Sequence, residues 1–159
     1  MKLKTLSAIS ALAVVVVAGE GQAAPVNRQA PVSLFNGVED VVFRCTTSTS
    51  FVDIPGLSRS FNQTAGAAEE VVAMMQGSFS LSLASPFDTA FVRLLIDGAV
   101  VGPGDQVPLT SVESFGATHG FNWQSKPLAA GAHTAKVQWR TDLGSQICVD
   151  ARTLIVLHK

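Results

Sequence analysis

Several stretches of this chain alternate hydrophobic and polar residues with a period of two, and no stretch after residue 23 holds a convincing helical period. Ala135, Val137 and Trp139 share one parity against Lys136, Gln138 and Arg140, which predicts a strand with one buried and one wet face. Phe115, Ala117, His119, Phe121 and Trp123 share a face in the same way, and so do Phe79, Leu81 and Leu83 against Ser78, Ser80 and Ser82. Val41 to Thr47 and Phe51 to Ile54 are rich in β-branched and aromatic residues and read as strands, the second ending at the Pro55-Gly56 turn signal. Leu57 to Gln63 is a further strand candidate. Ala67 to Gln76 mixes helix formers with Val71-Val72, and the alternation that follows places it in a strand continuing through a bulge at Gly77.

Asp97-Gly98 lies between two apolar runs, Phe91 to Ile96 and Ala99 to Val101, and predicts a tight hairpin, because a type I′ turn needs positive φ at both central positions. Val107 to Thr110 reads as loop, and Leu128 to Gly131 turns the chain between two strands. Ile147 to Leu157 is a long final strand. Placing Val137 opposite Ala151 and Trp139 opposite Val149 matches apolar faces, so a hairpin with the preceding strand is expected. Together these elements predict an all-β antiparallel β-sandwich of jelly-roll-like form; the pattern does not separate a plain sandwich from a jelly roll. An immunoglobulin-like arrangement fits less well, since no tryptophan follows the first cysteine closely.

The first residues change the picture. Met1 to Lys4 is basic, Leu6 to Ala18 is apolar, and Gly21-Gln22-Ala23 is a small-residue exit, the order of a secretory signal peptide cut after Ala23. The apolar run is shorter than the ~20 residues a spanning helix needs, so stable membrane insertion is not expected. Residues 24–39, with Pro25 and Pro31, read as an extended leader, and residues 40–159 as one β-sandwich domain, secreted or periplasmic. Without the signal, 11 basic and 12 acidic residues become 9 and 11, a formal charge of −2. That near balance, with scattered signs, argues against a nucleic acid partner.

Export also gives the cysteines a meaning. Cys45 and Cys148 are expected to form a disulfide, because paired thiols persist in oxidising compartments, and the bond would join the first predicted strand to the last. A loop of roughly 100 residues closed this way is stabilised by about 4.7 kcal/mol in the chain-entropy model, before native strain.

Candidate chemistry is sparse. His119, His133, Asp97 and Glu113 are the weak site candidates, but two histidines fall short of the three or four ligands zinc usually takes. The residues after Cys148 lack the histidine and methionine of a blue-copper site. Gly56-Leu57-Ser58-Arg59-Ser60 only approaches a nucleophile elbow, and Asp97, Asp105 and the Gly102–Gly104 carbonyls match no calcium loop. No catalytic, cofactor or metal motif is present. The tryptophans lie on apolar faces and there is no tyrosine, which removes the usual stacking surface for a sugar.

Val92 to Gly98, Phe121-Asn122-Trp123 and Leu128 to Arg140 resemble a pattern seen in exported bacterial β-domains, over roughly the C-terminal half of the chain. That resemblance implies a jelly roll of the broad kind that includes complement C1q and tumour necrosis factor, without the signature residues of those families. It implies a fold and not an activity. The expected function is an exported non-catalytic module for binding, adhesion or envelope structure, with an unidentified protein or glycan partner. The alternatives are a secreted hydrolase built from the scattered acids and histidines, and a jelly-roll subunit of a homo-oligomer.

Overall fold

The computed structural model describes residues 34–64, 69–82, 88–105, 107–110 and 117–159. The proposed signal peptide, most of the leader, and the Glu113 and Phe115 positions lie outside the described residues.

Among the described residues ten strands form in chain order: β1 Leu34–Asp40, β2 Arg44–Thr46, β3 Val52–Gln63, β4 Val72–Ser82, β5 Ala90–Ile96, β6 Ala99–Val100, β7 Val107–Thr110, β8 Ala117–Gln124, β9 Gly131–Thr141 and β10 Gln146–His158. One sheet runs β1-β10-β4-β8, with β2 also on β10; the other runs β3-β9-β5-β6, with β7 also on β5. Every pairing is antiparallel. From β3 onward the chain alternates between the sheets, apart from the β5–β6–β7 stretch, and that alternation gives the sandwich its jelly-roll-like form.

The strands form because their apolar residues fall on alternate positions that the two sheets bury against each other. Along β5 every second residue from Ala90 to Ile96 is buried, and β4 buries Ala73, Met75, Phe79 and Leu81 in the same rhythm. Phe79 of the first sheet meets Trp139 of the second edge to face, with ring centroids 6.5 Å apart. Each large apolar side chain fully buried in this way contributes about 1.5–3 kcal/mol. The Asp97-Gly98 hairpin forms as the sequence predicts, with φ of 51° at Asp97 and 82° at Gly98.

Five local readings change. The expected β9–β10 hairpin does not form: β9 pairs with β3 and β5, and β10 pairs with β1, β2 and β4 in the other sheet. Matching apolar parity is satisfied equally by lateral neighbours and by strands stacked face to face, so parity alone cannot place β10. Val107–Thr110 is an edge strand on β5 rather than loop, and Pro108, which lacks an N–H, is tolerated there. Pro55-Gly56 does not end a strand. It lies in an irregularity within β3 between Asp53 and Ser58, where Gly56 has φ of 82° and a Cβ would collide with Asp40. The bulge expected at Gly77 belongs to the facing strand, since Val149–Arg152 of β10 spans Phe79–Gly77 of β4. Pairing also begins at Leu34, inside the segment read as leader, where β1 meets the end of β10.

The β10 bulge turns Arg152 inward, where its side chain is wholly buried. Its Nε donates to Pro55 O at 3.1 Å, Nη1 to Val42 O at 2.7 Å and Asp150 O at 3.1 Å, and Nη2 to Asp40 Oδ2 and Pro55 O, both at 2.6 Å. The five bonds tie the link after β1, the irregularity in β3 and the bulge in β10 together. Nearby, Cys45 of β2 lies opposite Cys148 of β10 and is bonded to it, across a separation of 103 residues. Such a bond persists in an oxidising compartment.

Candidate functional site

A groove of about 890 Å³ opens at the sandwich edge where the last residues of β8 approach the β5–β6 hairpin. Its two walls come from different sheets. One is the hairpin with Val101, Gly102 and Pro103; the other is the end of β8 with the loop through Lys126, Pro127 and Leu128. Gln124 N–H donates to Gly102 O at 3.2 Å and joins the walls at one point. The loop is anchored to the residues before β4: Ser125 N–H donates to Val71 O at 2.9 Å, Ser125 Oγ accepts from Val71 N–H at 2.9 Å, and Leu128 N–H donates to Glu69 O at 3.0 Å.

Ile96, Val101 and Trp123 form an apolar floor. Trp123 is 1% exposed, and its indole N–H is buried without a hydrogen-bond partner among the described residues. Burying such a donor unsatisfied costs about 1–3 kcal/mol. Around the mouth stand Glu70, Asn122, Gln124 and Lys126, with the Gln124 amide donating to the Glu70 carboxylate. The groove thus combines apolar surface with a short row of amide and charged groups, the usual make-up of a small-ligand site.

The sequence candidates separate. Asp97 and His133 meet, with Nδ1 2.6 Å from Asp97 Oδ2, and His133 Nε2 lies 2.9 Å from Ala129 O. Asp97 Oδ1 accepts from Thr134 N–H at 2.8 Å. Burial alone would raise the Asp97 carboxyl, but the bonds from His133 and Thr134 outweigh it and hold it below the ordinary carboxylate range. The carboxylate and the Ala129 carbonyl raise His133 above the usual histidine value. Neither residue lines the groove; the pair braces the hairpin against β9. His119 is on β8 in the other sheet, between Phe79 at 6.1 Å and Phe121 at 6.4 Å. Glu113 lies outside the described residues, so the structure brings together Asp97 and His133 and separates them from His119.

Asp88, an acid the sequence offers without a role, is fully buried and accepts from Thr89 N–H at 2.7 Å, Asp142 N–H at 2.9 Å, Leu143 N–H at 2.8 Å and Ser145 N–H at 2.7 Å. Burial would raise its pKa, and these N–H groups more than offset it and hold the carboxyl below its ordinary value. It holds the crossover from β9 to β10. On the outer face of the second sheet, Arg93 stacks on Phe51 at 4.0 Å and Arg140 on Phe91 at 4.5 Å. Gln138 accepts from Arg93 and donates to Asp53, whose carboxyl is held low first by that bond and then by Lys136. Among the described residues no group of three or more His, Cys, Asp or Glu side chains is placed to hold a metal, and no helix is long and apolar enough to cross a membrane.

Sequence reasoning missed Glu70, Asn122 and Gln124 as a site. The available signal was a buried tryptophan leading into the polar run Gln124-Ser125-Lys126, but only the pairing of Gln124 with Gly102 brings that run to the other sheet.

No family model matches the chain, and no curated protein matches it in sequence. Among solved structures it is similar to the C-terminal domain of EclA, described as a sugar-binding protein, at 13% identity and a TM-score of 0.42, over 84% of this chain and 88% of that one. It is also similar to a family 35 carbohydrate binding module from Clostridium thermocellum, at 14% identity and a TM-score of 0.32, over 77% of this chain and 90% of that one. A third similarity is to the CBM22-1 xylan-binding domain of Paenibacillus barcinonensis Xyn10C, at 9% identity and a TM-score of 0.34, over 82% of this chain and 99% of that one.

Proposed function

We propose that the protein is an exported, non-catalytic β-sandwich module that binds its ligand in the groove between the β5–β6 hairpin and the end of β8. The basic, apolar and small-residue order of the first 23 residues and the Cys45–Cys148 bond support export. The observation that carries the binding reading is the groove itself, an apolar floor of Ile96, Val101 and Trp123 beneath a rim of Glu70, Asn122 and Gln124. A glycan suits this rim, since these side chains offer acceptors and donors to hydroxyl groups, while Pro103, Pro127 and Leu128 offer apolar contact to the C–H faces of a ring. Trp123 is too buried to act as a stacking platform, so the polar rim supplies the selectivity. A hydrolase has less support, because Asp97 and His133 spend their hydrogen bonds on the hairpin and on Ala129 outside the groove.

An oligosaccharide array followed by calorimetry tests this. Binding of at least one glycan class is expected, weakened roughly tenfold by Gln124→Ala or Asn122→Ala, in line with the loss of one or two hydrogen bonds. An array that retains no glycan, or retention indifferent to both substitutions, would sink the reading.

A further inference from the structure

His133 contacts residues that adjoin both walls of the groove without lining it. Asp97 is the turn residue of the hairpin whose Ile96, Ala99 and Val100 form one wall, and Ala129 directly follows Leu128 of the other. Both partners of the ring are acceptors, a carboxylate at Nδ1 and a backbone carbonyl at Nε2. A neutral imidazole donates from one nitrogen only, whereas the imidazolium donates from both. The observed pair of contacts is therefore satisfied by the doubly protonated ring.

Loss of one proton has a definite consequence. The carboxylate at 2.6 Å retains the Nδ1 proton, because a charge-assisted bond is the stronger of the two. Nε2 then turns a lone pair toward the Ala129 oxygen, and that contact becomes repulsive. Asp97 stays on β9 in either state, since its N–H donates to Thr134 O at 3.0 Å and its Oδ1 accepts from Thr134 N–H. Only the Ala129 contact is released, while Leu128 stays bonded to Glu69.

Few other charges surround the ring. β3 presents Phe61, tilted against the ring with centroids 5.5 Å apart, and His158 of β10 lies against Phe61 at 5.0 Å. The loop carries Lys126 at the groove, and Glu69, bridged to Leu128, is ion-paired with Lys159. Asp97 is the one carboxylate in contact with His133 among the described residues.

We propose that His133 is a pH-dependent latch beside the groove, tying Ala129, next to the wall residue Leu128, to Asp97 of the hairpin when both ring nitrogens are protonated and freeing Ala129 when one proton leaves. This rests on the groove being the binding site. The raised histidine value agrees with it and places the release above the ordinary midpoint of about 6.5.

Nuclear magnetic resonance between pH 5 and 9 tests the latch directly, by following the His133 ring nitrogens and the Ala129 carbonyl carbon. Both signals are expected to titrate together above pH ~6.5, with the midpoint lowered in Asp97→Asn. The apolar dye 8-anilinonaphthalene-1-sulfonate serves as groove probe, and its dissociation constant is expected to rise roughly three- to tenfold across the same midpoint and to lose that dependence in His133→Gln. An Ala129 carbonyl that does not follow the ring, or groove-bound dye with a pH-independent affinity, overturns the latch. Dye binding that is absent or indifferent to Gln124→Ala counts against the groove reading instead, while the Ala129 titration still decides whether the latch exists.

Discussion

Arg152 and Trp123 are both large, fully buried side chains with polar hydrogens, yet their surroundings are opposite. All five N–H groups of Arg152 have acceptors, drawn from three separate parts of the chain. The indole N–H of Trp123 has none among the described residues. A buried cation so completely paired fixes backbone segments that would otherwise be free to shift, because any movement strands a charge in a low-dielectric interior. A buried donor without a partner among the described residues stabilises nothing and costs about 1–3 kcal/mol. The contrast divides the sandwich into an edge built for rigidity, around β1, β2 and β10, and an edge built for contact, around β6 and β8.

The sharpest way to break that contrast is Arg152→Met. It leaves the Asp40 carboxylate and the Pro55 and Val42 carbonyls without their donor, and a loss of about 3–5 kcal/mol in chemical denaturation is expected. A loss under 1 kcal/mol would show that the saturated node is not what holds this edge. Replacing both Cys45 and Cys148 with alanine should cost about 2–5 kcal/mol on the same scale, compared with the oxidised parent. Equal stability of parent and variant would remove the disulfide from the account.

Asp88→Asn comes next, with an expected loss of about 2 kcal/mol at neutral pH, because the amide keeps one neutral oxygen for the Thr89, Asp142 and Leu143 N–H groups while its NH2 cannot accept from Ser145 N–H. The sign of the pH dependence follows from its lowered pKa. The carboxylate's contribution is complete above the unfolded value of about 3.9 and is lost as pH falls through the lower folded value, so the parent should lose stability below pH ~4 more steeply than the variant. Parallel acid limbs would contradict this. The smallest stability effect is expected at the contact edge, where Gln124→Ala should change stability by less than about 0.5 kcal/mol while reducing ligand binding. A large drop in thermal midpoint would instead make Gln124 part of the frame.

The two edges also differ in how far they could be read from the chain. Ile147 to Leu157 announces a strand through its apolar residues, and Asp97-Gly98 announces a turn through the only backbone geometry that suits it. The arginine within that strand gives no comparable notice, because its buried placement depends on a bulge set by the partner strand. Asp88 is equally silent: beside its neighbour Thr89, its donors come from the β9–β10 crossover, which only the fold brings to it. The candidate site was hidden for the same reason. Asp97 and His133 could be named as chemistry-bearing residues, but their meeting is a consequence of β5 pairing with β9, and Gln124 reaches the groove because β8 lies at an edge beside Gly102.

By itself the sequence determined the strand-rich class, the hairpin at Asp97-Gly98, which faces of most strands are buried, and the pair of cysteines available for one bond. These follow from local sterics and from a side-chain period of two, which each segment carries in its own residues. Only the tertiary structure decided which strand lies beside which, and with it the placement of β10 in the sheet opposite β9, the saturation of Arg152 and the groove over Trp123. Lateral pairing and face-to-face stacking bury the same apolar positions, so the choice between them is made by the packing of the whole core and not by any one segment.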